Sequence, residues 1–314
     1  MPDFIIRNEA QLRQHIKPYE KQLDKRIQNK LDDITIEYLE CTSIFFLYKG
    51  DEQEFSILSR PEVHIRDKHT LSLNMKDNIQ QHASLYCLIP GINHGLRING
   101  KLSLNKFEIK QVYFQCGRAM MRSQLWITEN HTSRNYPTDH HSKLTNTHRL
   151  FLQSNHYALM GTRDYFGNTE ISPKGNSSSL LTILNENTLI LQEHSGNKVA
   201  ISIRNLLQVA KISLLLINRK DDQALFIKGT TDIISSDAIK TKPNIQIKIA
   251  IQHLEFIDLP VRHQLWDNHN YINENQITPF SKAINIHMNG RGILSKLTQP
   301  IVKAIIIHDQ KNLY

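Results

Sequence analysis

The sequence of 314 residues has few cysteines and no long apolar run. Three widely spaced cysteines predict neither a disulfide framework nor a zinc site. No stretch of about eighteen apolar residues is present, which excludes a membrane-spanning helix. The N-terminus is charged from the start and lacks the apolar core of a signal peptide. We therefore expect a cytoplasmic protein with no membrane partner.

The charge balance is basic, because 38 Lys and Arg residues outnumber 30 Asp and Glu residues. These basic residues are scattered along the chain, and no zinc finger, RNP-type aromatic motif or helix-turn-helix glycine pattern is present. A net charge of +8 suits any anionic ligand, so the sequence does not favour a nucleic-acid partner. Hydrophobic residues make up 39% of the chain, which predicts a packed core.

The chain repeats itself. Both of its tryptophans end the same kind of string, RSQLW at Trp126 and RHQLW at Trp266. Three further pairs of strings precede the tryptophans in the same order in both halves: EYLECTSIFFLYKG with LFLQSNHYALMGT, KHTLSL with ENTLIL, and LRINGKL with LFIKGTT. Four matches in one order predict an internal duplication.

Short runs rich in Ile, Leu, Val and Tyr, broken by turn residues, predict β-strands in both halves. The pattern is typical of a mainly β fold, with a β-barrel and flanking helices in each half. Ahead of the strands, apolar residues at four-residue spacing predict a helix over residues 12–33, with Pro18 near its start. The predicted strands are 44–48, 62–66, 70–73, 85–89, 95–98, 109–114, 157–161, 181–184, 188–191, 212–217, 224–228 and 245–256.

These features divide the chain into four parts. They are a helical arm with the first barrel half (1–127), a polar, proline-containing linker (128–147), a second barrel half (148–270) and a C-terminal extension (271–314). In the linker, Asp139, His140 and His141 are possible metal ligands, but a histidine pair in a loop predicts no metal site by itself. The extension contains HMNGRGILSKL, which is either one more hairpin or a partner-binding segment.

The second half contains a candidate anion loop. The second half has additional residues around the string EHSGNKVAISIRNLL, compared with the first half. This string predicts a turn followed by the start of a short helix. Small polar residues and backbone N–H groups at a helix start favour a phosphate. The string NTEISPKG adds a hydroxyl and an ammonium at a strand end. The candidate residues are Ser172, Lys174, Asn197, Lys198, Ser202 and Arg204.

The first half has a different candidate. The string QCGRAMMRSQLW places Arg118, Arg122 and Trp126 at four-residue spacing, and Ser123 lies beside them. On a helix these three residues would share one face. One interpretation is an anion site with an aromatic wall, and the other is a solvated basic stripe. Aligned on QLW, the second half has Asp258 in place of Arg118, and an aspartate would repel an anion.

The strings EISPKG, GNKVAISIRNLL, IPGINHGLRINGKL and VYFQCGRAMMRSQLW resemble successive motifs of the pyridoxamine 5'-phosphate oxidase-like FMN-binding split-barrel family. The resemblance covers roughly residues 4–126 and, more loosely, residues 148–266. Members of that family are usually homodimers that bind FMN at the subunit interface. The resemblance therefore implies two tandem split-barrel units that form a pseudo-dimer within one chain, either as a monomer or as a homodimer of such chains.

The resemblance also implies which residues hold FMN. In the second half, Lys174, Ser202 and Arg204 would bind its phosphate and ribityl chain, with Ser172 beside them. The loop residues Asn197 and Lys198 complete this half of the site. From the first half, the resemblance assigns Arg118, Arg122, Ser123 and Trp126 to closing the site, so that one FMN lies between the halves.

The implied function is that of an FMN-dependent oxidoreductase, which passes electrons between FMN and a small substrate or NAD(P)H. Two alternatives stay open. One is a haem-binding or haem-utilisation protein, because related split barrels include such proteins and the chain has 16 histidines. The other is a cofactor-free binding module in which the duplication has decayed. The sequence also departs from the family, because Val199 stands where the GNxR string has arginine.

Overall fold

The computed structural model describes residues 4–19, 21–75, 80–127, 134–194, 198–219, 221–235, 245–260, 265–266 and 271–311. The chain forms two compact units. The N-sheet unit comprises residues 20–49, 55–128 and 260–314, and the C-sheet unit comprises residues 1–19, 50–54 and 129–259. Each unit thus contains one of the two predicted barrel halves, but residues 1–19 belong to the unit with the later half.

Both units are built on antiparallel strands. Seven helices longer than one turn accompany them in the described residues. The helices are α1 (Glu9–His15), α2 (Asp33–Cys41), α3 (Arg118–Arg122), α4 (Asn146–Gln153), α5 (Ile201–Gln208), α6 (Phe280–Asn289) and α7 (Ile293–Lys311). The strands are β1 (Phe4–Ile6), β2 (Ile44–Lys49), β3 (Glu54–Ser59), β4 (Val63–Asp67), β5 (Thr70–Leu73), β6 (Gln80–Leu88), β7 (His94–Ser103), β8 (Lys106–Cys116), β9 (Tyr157–Arg163), β10 (Thr169–Gly175), β11 (Leu181–Asn185), β12 (Thr188–Gln192), β13 (Lys211–Ile217), β14 (Gln223–Ser235) and β15 (Ile245–Asp258).

The two sheets have the same topology. The strand order is β3-β2-β6-β7-β8-β5-β4 in the N-sheet unit and β10-β9-β13-β14-β15-β12-β11 in the C-sheet unit. Adding seven to each strand number of the first sheet gives the order of the second, to which β1 adds a further strand beside β14. The prediction of a mainly β fold made of two tandem sheet units is therefore confirmed.

The correspondence extends to irregular positions. The register shifts at Gly100 in the N-sheet unit and at Gly229 in the C-sheet unit, the two glycines of the matched strings LRINGKL and LFIKGTT. At each bulge a side chain has no room, because a Cβ at Gly100 would lie 2.0 Å from the carbonyl oxygen of Glu108. A Cβ at Gly229 would lie 2.5 Å from the carbonyl oxygen of Ala250. Glycine is required at both positions because the facing backbone approaches so closely.

Each sheet buries one face against a helix whose first turn is hydrogen-bonded by the side chain of its N-cap residue. In the N-sheet unit, Asp32 accepts a hydrogen bond from the backbone N–H of Thr35 and starts α2. In the C-sheet unit, Thr145 caps α4 through His148 in the same way. Alternating strand residues complete each core, as the period of two requires. Fully buried members are Phe45, Leu47, Leu85, Leu96, Phe107 and Phe114 in one core and Phe151, Met160, Leu189, Leu214, Leu225 and Leu254 in the other.

The predicted helix over residues 12–33 is wrong. Helix α1 ends at His15, and a short 3-10 segment, Lys21–Arg26, precedes α2. Pro18 does not begin a helix, because it follows the end of α1, where the ring of a proline disfavours helical backbone in the residue before it. Further along, Gln28 pairs with Val112 in an extended bridge. This long-range pairing overrides the four-residue apolar spacing.

The string HMNGRGILSKL ends one helix and begins the next, so the alternative of one more hairpin is wrong. Helices α6 and α7 meet at Gly290, which has a φ of 74°. That left-handed conformation suits glycine and ends α6. The string HMNGRGILSKL therefore spans the connection between two helices. No helix in the described ranges combines the length and hydropathy that crossing a membrane requires.

Part of the predicted linker packs onto the C-sheet unit. Tyr136 and Leu144 are buried in its core, and His141 pairs with Leu254 in an extended bridge. The ring of His140 stacks on that of His253 at 5.6 Å between centroids. Across the described residues, no group of three histidine, cysteine or acidic side chains is arranged to hold a metal ion.

Acid is expected to weaken the N-sheet unit through His94. This buried ring lies against Tyr38, Phe114 and Phe280, and burial lowers its pKa to about 3. Because a histidine of the unfolded chain binds its proton near pH 6.5, stability falls as the pH drops from about 6.5 towards the folded pKa. We expect a loss of about 2 kcal/mol between pH 7 and pH 5, measured by urea unfolding. In His94→Phe this part of the pH dependence should vanish, and an unchanged pH dependence would refute the assignment.

Candidate cofactor site

Helix α5 distinguishes the C-sheet unit from the N-sheet unit. It lies in the connection between β12 and β13, residues 193–210, whereas the corresponding connection between β5 and β6 covers only residues 74–79. Its apolar residues Ile203 and Leu206 are buried in the core. On the opposite side, the Asn205 amide donates a hydrogen bond to the Thr162 hydroxyl at 3.1 Å. The predicted short helix is thus confirmed, and it is fixed against the sheet. Most of the predicted turn before it lies outside the described residues.

The first turn of α5 leaves its backbone N–H groups without a side-chain cap. The residue before the helix, Ala200, has a left-handed φ of 55° and no side chain that can accept a hydrogen bond. In α2 and α4, the side chain of the capping residue accepts a hydrogen bond from the first turn, whereas in α5 no capping side chain does so. Such a start favours a negatively charged group.

Lys174 is held in an ion pair. It lies on β10, which α5 contacts, and its Nζ is 2.6 Å from Oε2 of Glu193 in the loop before α5. The two side chains are only 11% and 20% exposed, so solvent screens the pair weakly. Ser172 is two residues earlier on the same strand and faces the same side of the sheet. Lys174 was predicted from the sequence, but its carboxylate partner Glu193 was not.

Arg204 is paired with the N-terminal segment. Its Nε is 3.2 Å from Oε1 of Glu9 on α1, and the same carboxylate oxygen is 3.2 Å from Nη2 of Arg13. Arg13 in turn donates through Nη1 to the carbonyl oxygen of Lys198 at 2.9 Å. Helix α1 therefore lies against the loop that precedes α5. The four-residue spacing of Glu9 and Arg13 is the one sequence signal for this cluster, because it favours an ion pair on a helix. It does not predict the contact of Glu9 with Arg204.

The other predicted residues of this unit are distributed around α5. Ser202 is buried in its first turn. Lys198 is exposed and has a left-handed φ of 63°. Asn197 lies outside the described residues. The structure thus brings Ser202 and Arg204 onto the helix that contacts the strand of Ser172 and Lys174.

In the N-sheet unit, the predicted shared face of Arg118, Arg122 and Trp126 is wrong. Helix α3 ends at Arg122, and Gln124 has a left-handed φ of 53°, so the chain turns before it reaches Trp126. The two arginines do lie on one helix, at its first and last positions. Ser123 is buried at the helix end, where its hydroxyl donates to the carbonyl oxygen of Met120 at 3.0 Å.

Both tryptophans make backbone hydrogen bonds within the N-sheet unit. The indole of Trp126 donates to the carbonyl oxygen of Ile92 at 3.0 Å and meets the ring of Tyr271 edge-on. The indole of Trp266 is buried and donates to the carbonyl oxygen of Leu125 at 2.9 Å. Trp266 therefore has a structural role in this unit. Trp126 has a bracing role as well, which only the structure reveals.

Comparison with solved structures finds proteins similar to about a third of this chain. A putative pyridoxamine 5'-phosphate oxidase from Lactobacillus delbrueckii is 19% identical, with 36% of this chain and 94% of that one covered and a TM-score of 0.30. An FMN-binding protein from Syntrophomonas wolfei is 13% identical (35% and 88% covered, TM-score 0.25). HutZ, the haem storage protein from Vibrio cholerae, is 11% identical (34% and 91% covered, TM-score 0.27).

The first two of these structures carry the names of the family whose motifs the sequence resembles. No model of a protein family matches the chain, and no curated protein does.

The charges around α5 are balanced by the chain itself. The cations of Arg13, Lys174 and Arg204 face the carboxylates of Glu9 and Glu193 within ion-pair distance. A phosphate has the charge and the acceptor oxygens to replace either carboxylate, because guanidinium and ammonium groups bind both kinds of anion. The arrangement is therefore able to bind a phosphate only in competition with its own acidic side chains.

Proposed function

We propose that the chain binds FMN through the C-sheet unit and acts as an oxidoreductase between FMN and a small substrate or NAD(P)H. The observation that carries the proposal is α5, a helix that bears Arg204, starts without a side-chain cap and contacts β10, the strand of Lys174. The motifs EISPKG and GNKVAISIRNLL, which resemble those of FMN-binding split barrels, fall on these two elements.

Each residue has a defined task in this proposal. Lys174 and Arg204 neutralise the phosphate, and the hydroxyl of Ser202 and the first N–H groups of α5 donate hydrogen bonds to it. Ser172 and Lys198 line the approach, and Asn197 is assigned to the site from the sequence alone. FMN supplies the redox chemistry when bound, and the protein holds and orients it. The contribution of Arg118 and Arg122 to the same FMN remains a prediction from the sequence.

The test of this function is the visible absorption spectrum of the purified full chain, before and after addition of FMN or of haemin. Flavin bands that persist through gel filtration support the proposal. A Soret band that appears with haemin, while no flavin is retained, would replace it with haem binding. A protein that takes up neither would indicate a cofactor-free binding module.

Removing the carboxylate of Glu9 is expected to strengthen FMN binding. In Glu9→Gln, Arg13 and Arg204 lose their negative partner, so the phosphate no longer has to displace it. Because exposed ion pairs contribute about 0.2–1 kcal/mol, we expect a two- to fivefold lower Kd for FMN. Fluorescence titration of FMN measures the change. Glu186→Gln, which breaks the exposed pair with Lys143, is the matched control and should leave the Kd unchanged.

A further inference from the structure

The two C-terminal helices pack through polar side chains. Within the N-sheet unit, the buried amide of Asn285 on α6 donates to the carbonyl oxygen of Ser295 at 2.6 Å and to Oε1 of Gln299 at 2.8 Å. The hydroxyl of Thr298 donates to the same asparagine at 2.8 Å. These contacts place the polar side of α7 against α6.

The apolar side of α7 consequently faces outward. Along the helix, six large aliphatic side chains are between 40% and 77% exposed. At 100° per residue most of them fall on one broad stripe. We call this stripe the α7 apolar face: Ile293, Leu294, Leu297, Ile301, Ile305 and Ile307.

Two cations border this face. Lys296 and Lys303 are exposed and lie one beyond the other, seven residues apart, on the edge of the stripe near Ile293 and Ile307. No acidic side chain of α7 lies on this edge within the described residues. The helix therefore presents aliphatic groups bordered on one edge by positive charge.

We propose that the α7 apolar face binds an anionic membrane surface, with the helix lying in the plane of the interface. Such binding combines burial of an apolar helix face with attraction of lysines to acidic headgroups. The lysine stems reach along the apolar layer and leave their ammonium groups at the headgroup level. A helix on the surface also needs no matched partner groove, only a sufficiently long apolar stripe.

A second copy of the chain fits the face less well. Each exposed aliphatic side chain offers on the order of 100 Å² at most, so the face offers a few hundred Å². A stable protein interface needs about 800 Å² from each partner. In an antiparallel pair, moreover, Lys296 of one copy would approach Lys303 of the other, and like charges repel. Both the area and the charge therefore favour an anionic surface.

This inference is independent of FMN binding. It also departs from the sequence-based expectation of no membrane partner, which rested on the lack of a long apolar run. That lack excludes a spanning helix, whereas a surface helix needs apolar residues on one side only. The sequence pattern of α7 alone does not show whether its apolar side faces the core or the solvent.

The experiment is flotation of the full chain with two kinds of vesicle, one of equal parts phosphatidylglycerol and phosphatidylcholine and one of phosphatidylcholine alone. We expect about tenfold stronger binding to the anionic vesicles, reduced by high salt. The double variant Leu297→Ser with Ile301→Ser should bind at least about tenfold more weakly. Lys296→Gln with Lys303→Gln should lose the preference for anionic vesicles.

Two controls keep the result interpretable. Leu150→Ser with Leu184→Ser replaces two equally exposed leucines of the C-sheet unit and should not change the binding. Thermal unfolding of every variant confirms that it folds, as expected for exposed positions. The proposal is overturned if the unaltered chain does not bind anionic vesicles, or if the α7 variants bind as well as it does. A dimer in sedimentation that the Leu297→Ser, Ile301→Ser variant abolishes would assign the face to a second copy.

Discussion

Replacing Lys174 and Arg204 together by alanine is expected to lower FMN affinity at least about a hundredfold. Arg204 lies on α5, whose uncapped start is the proposed phosphate site, and Lys174 lies on β10, the strand that α5 contacts. A hydrogen bond to a charged group contributes about 1.5–3 kcal/mol, and two such contacts account for a change of this size. The measurement is fluorescence titration of FMN into the purified variant, with gel filtration to test retention.

The control for this variant must separate loss of the site from loss of positive charge. Lys143→Ala with Arg149→Ala removes the same charge from the same unit, near the exposed carboxylate of Glu186. This control should bind FMN as tightly as the unaltered chain. An equal loss in both double variants would mean that only net charge matters, and no loss in either would reject the C-sheet site.

Lys174→Ala also leaves the carboxylate of Glu193 without its partner in a poorly solvated position. An unpaired, partly buried charge lowers stability. The double variant Lys174→Ala, Glu193→Gln lacks both the cation of Lys174 and the carboxylate of Glu193, so no unpaired charge is left in the site. If this combination is as stable as the unaltered chain and binds FMN weakly, the loss of affinity is not a consequence of unfolding.

Gly100→Ala and Gly229→Ala are expected to destabilise their units by about 3 kcal/mol or more. The new methyl group would lie 2.0 Å from a backbone carbonyl oxygen at Gly100 and 2.5 Å at Gly229. Backbone of the facing strand cannot rotate away as a side chain can, so the bulge itself must deform. Urea unfolding measures the loss, and Gly100→Ala should have the larger effect because its contact is shorter.

Hydrogen exchange locates the damage. Gly100→Ala should reduce protection first in β8, and Gly229→Ala first in β15, because these strands supply the obstructing carbonyls. The matched control is Gly292→Ala, where a methyl group meets no atom within 4 Å. That variant should stay within about 0.5 kcal/mol of the unaltered chain. A comparable loss at Gly292 would show that the effect comes from glycine itself and not from the close approach.

Much of the fold could be predicted from the sequence because it depends on local pattern and on self-comparison. Short runs rich in Ile, Leu, Val and Tyr, broken by turn residues, identify most strands of both sheets, because such residues favour strands. The matched strings LRINGKL and LFIKGTT identified the repeat, and only the structure shows that their two glycines lie at bulges. The additional string EHSGNKVAISIRNLL predicted the segment in which α5 forms.

Contacts between distant parts of the chain could not be predicted in this way. Glu9 meets Arg204 only because β1 pairs with β14 and carries α1 to the loop before α5. Glu193 meets Lys174 because α5 and its preceding loop lie over β10. Neither carboxylate belongs to a recognisable motif, and both change the electrostatics of the candidate site.

The sequence by itself therefore determined the two sheets and their repeated order, because local pattern and internal repetition encode them, and its motifs predicted Lys174 and Arg204. Only the tertiary structure decided which charges those cations meet. It also decided that the chain turns before Trp126 and that α7 keeps its apolar side exposed. A helix pattern defines two faces but not which of them a neighbour covers, and here the hydrogen bonds of Asn285 hold the polar face inward.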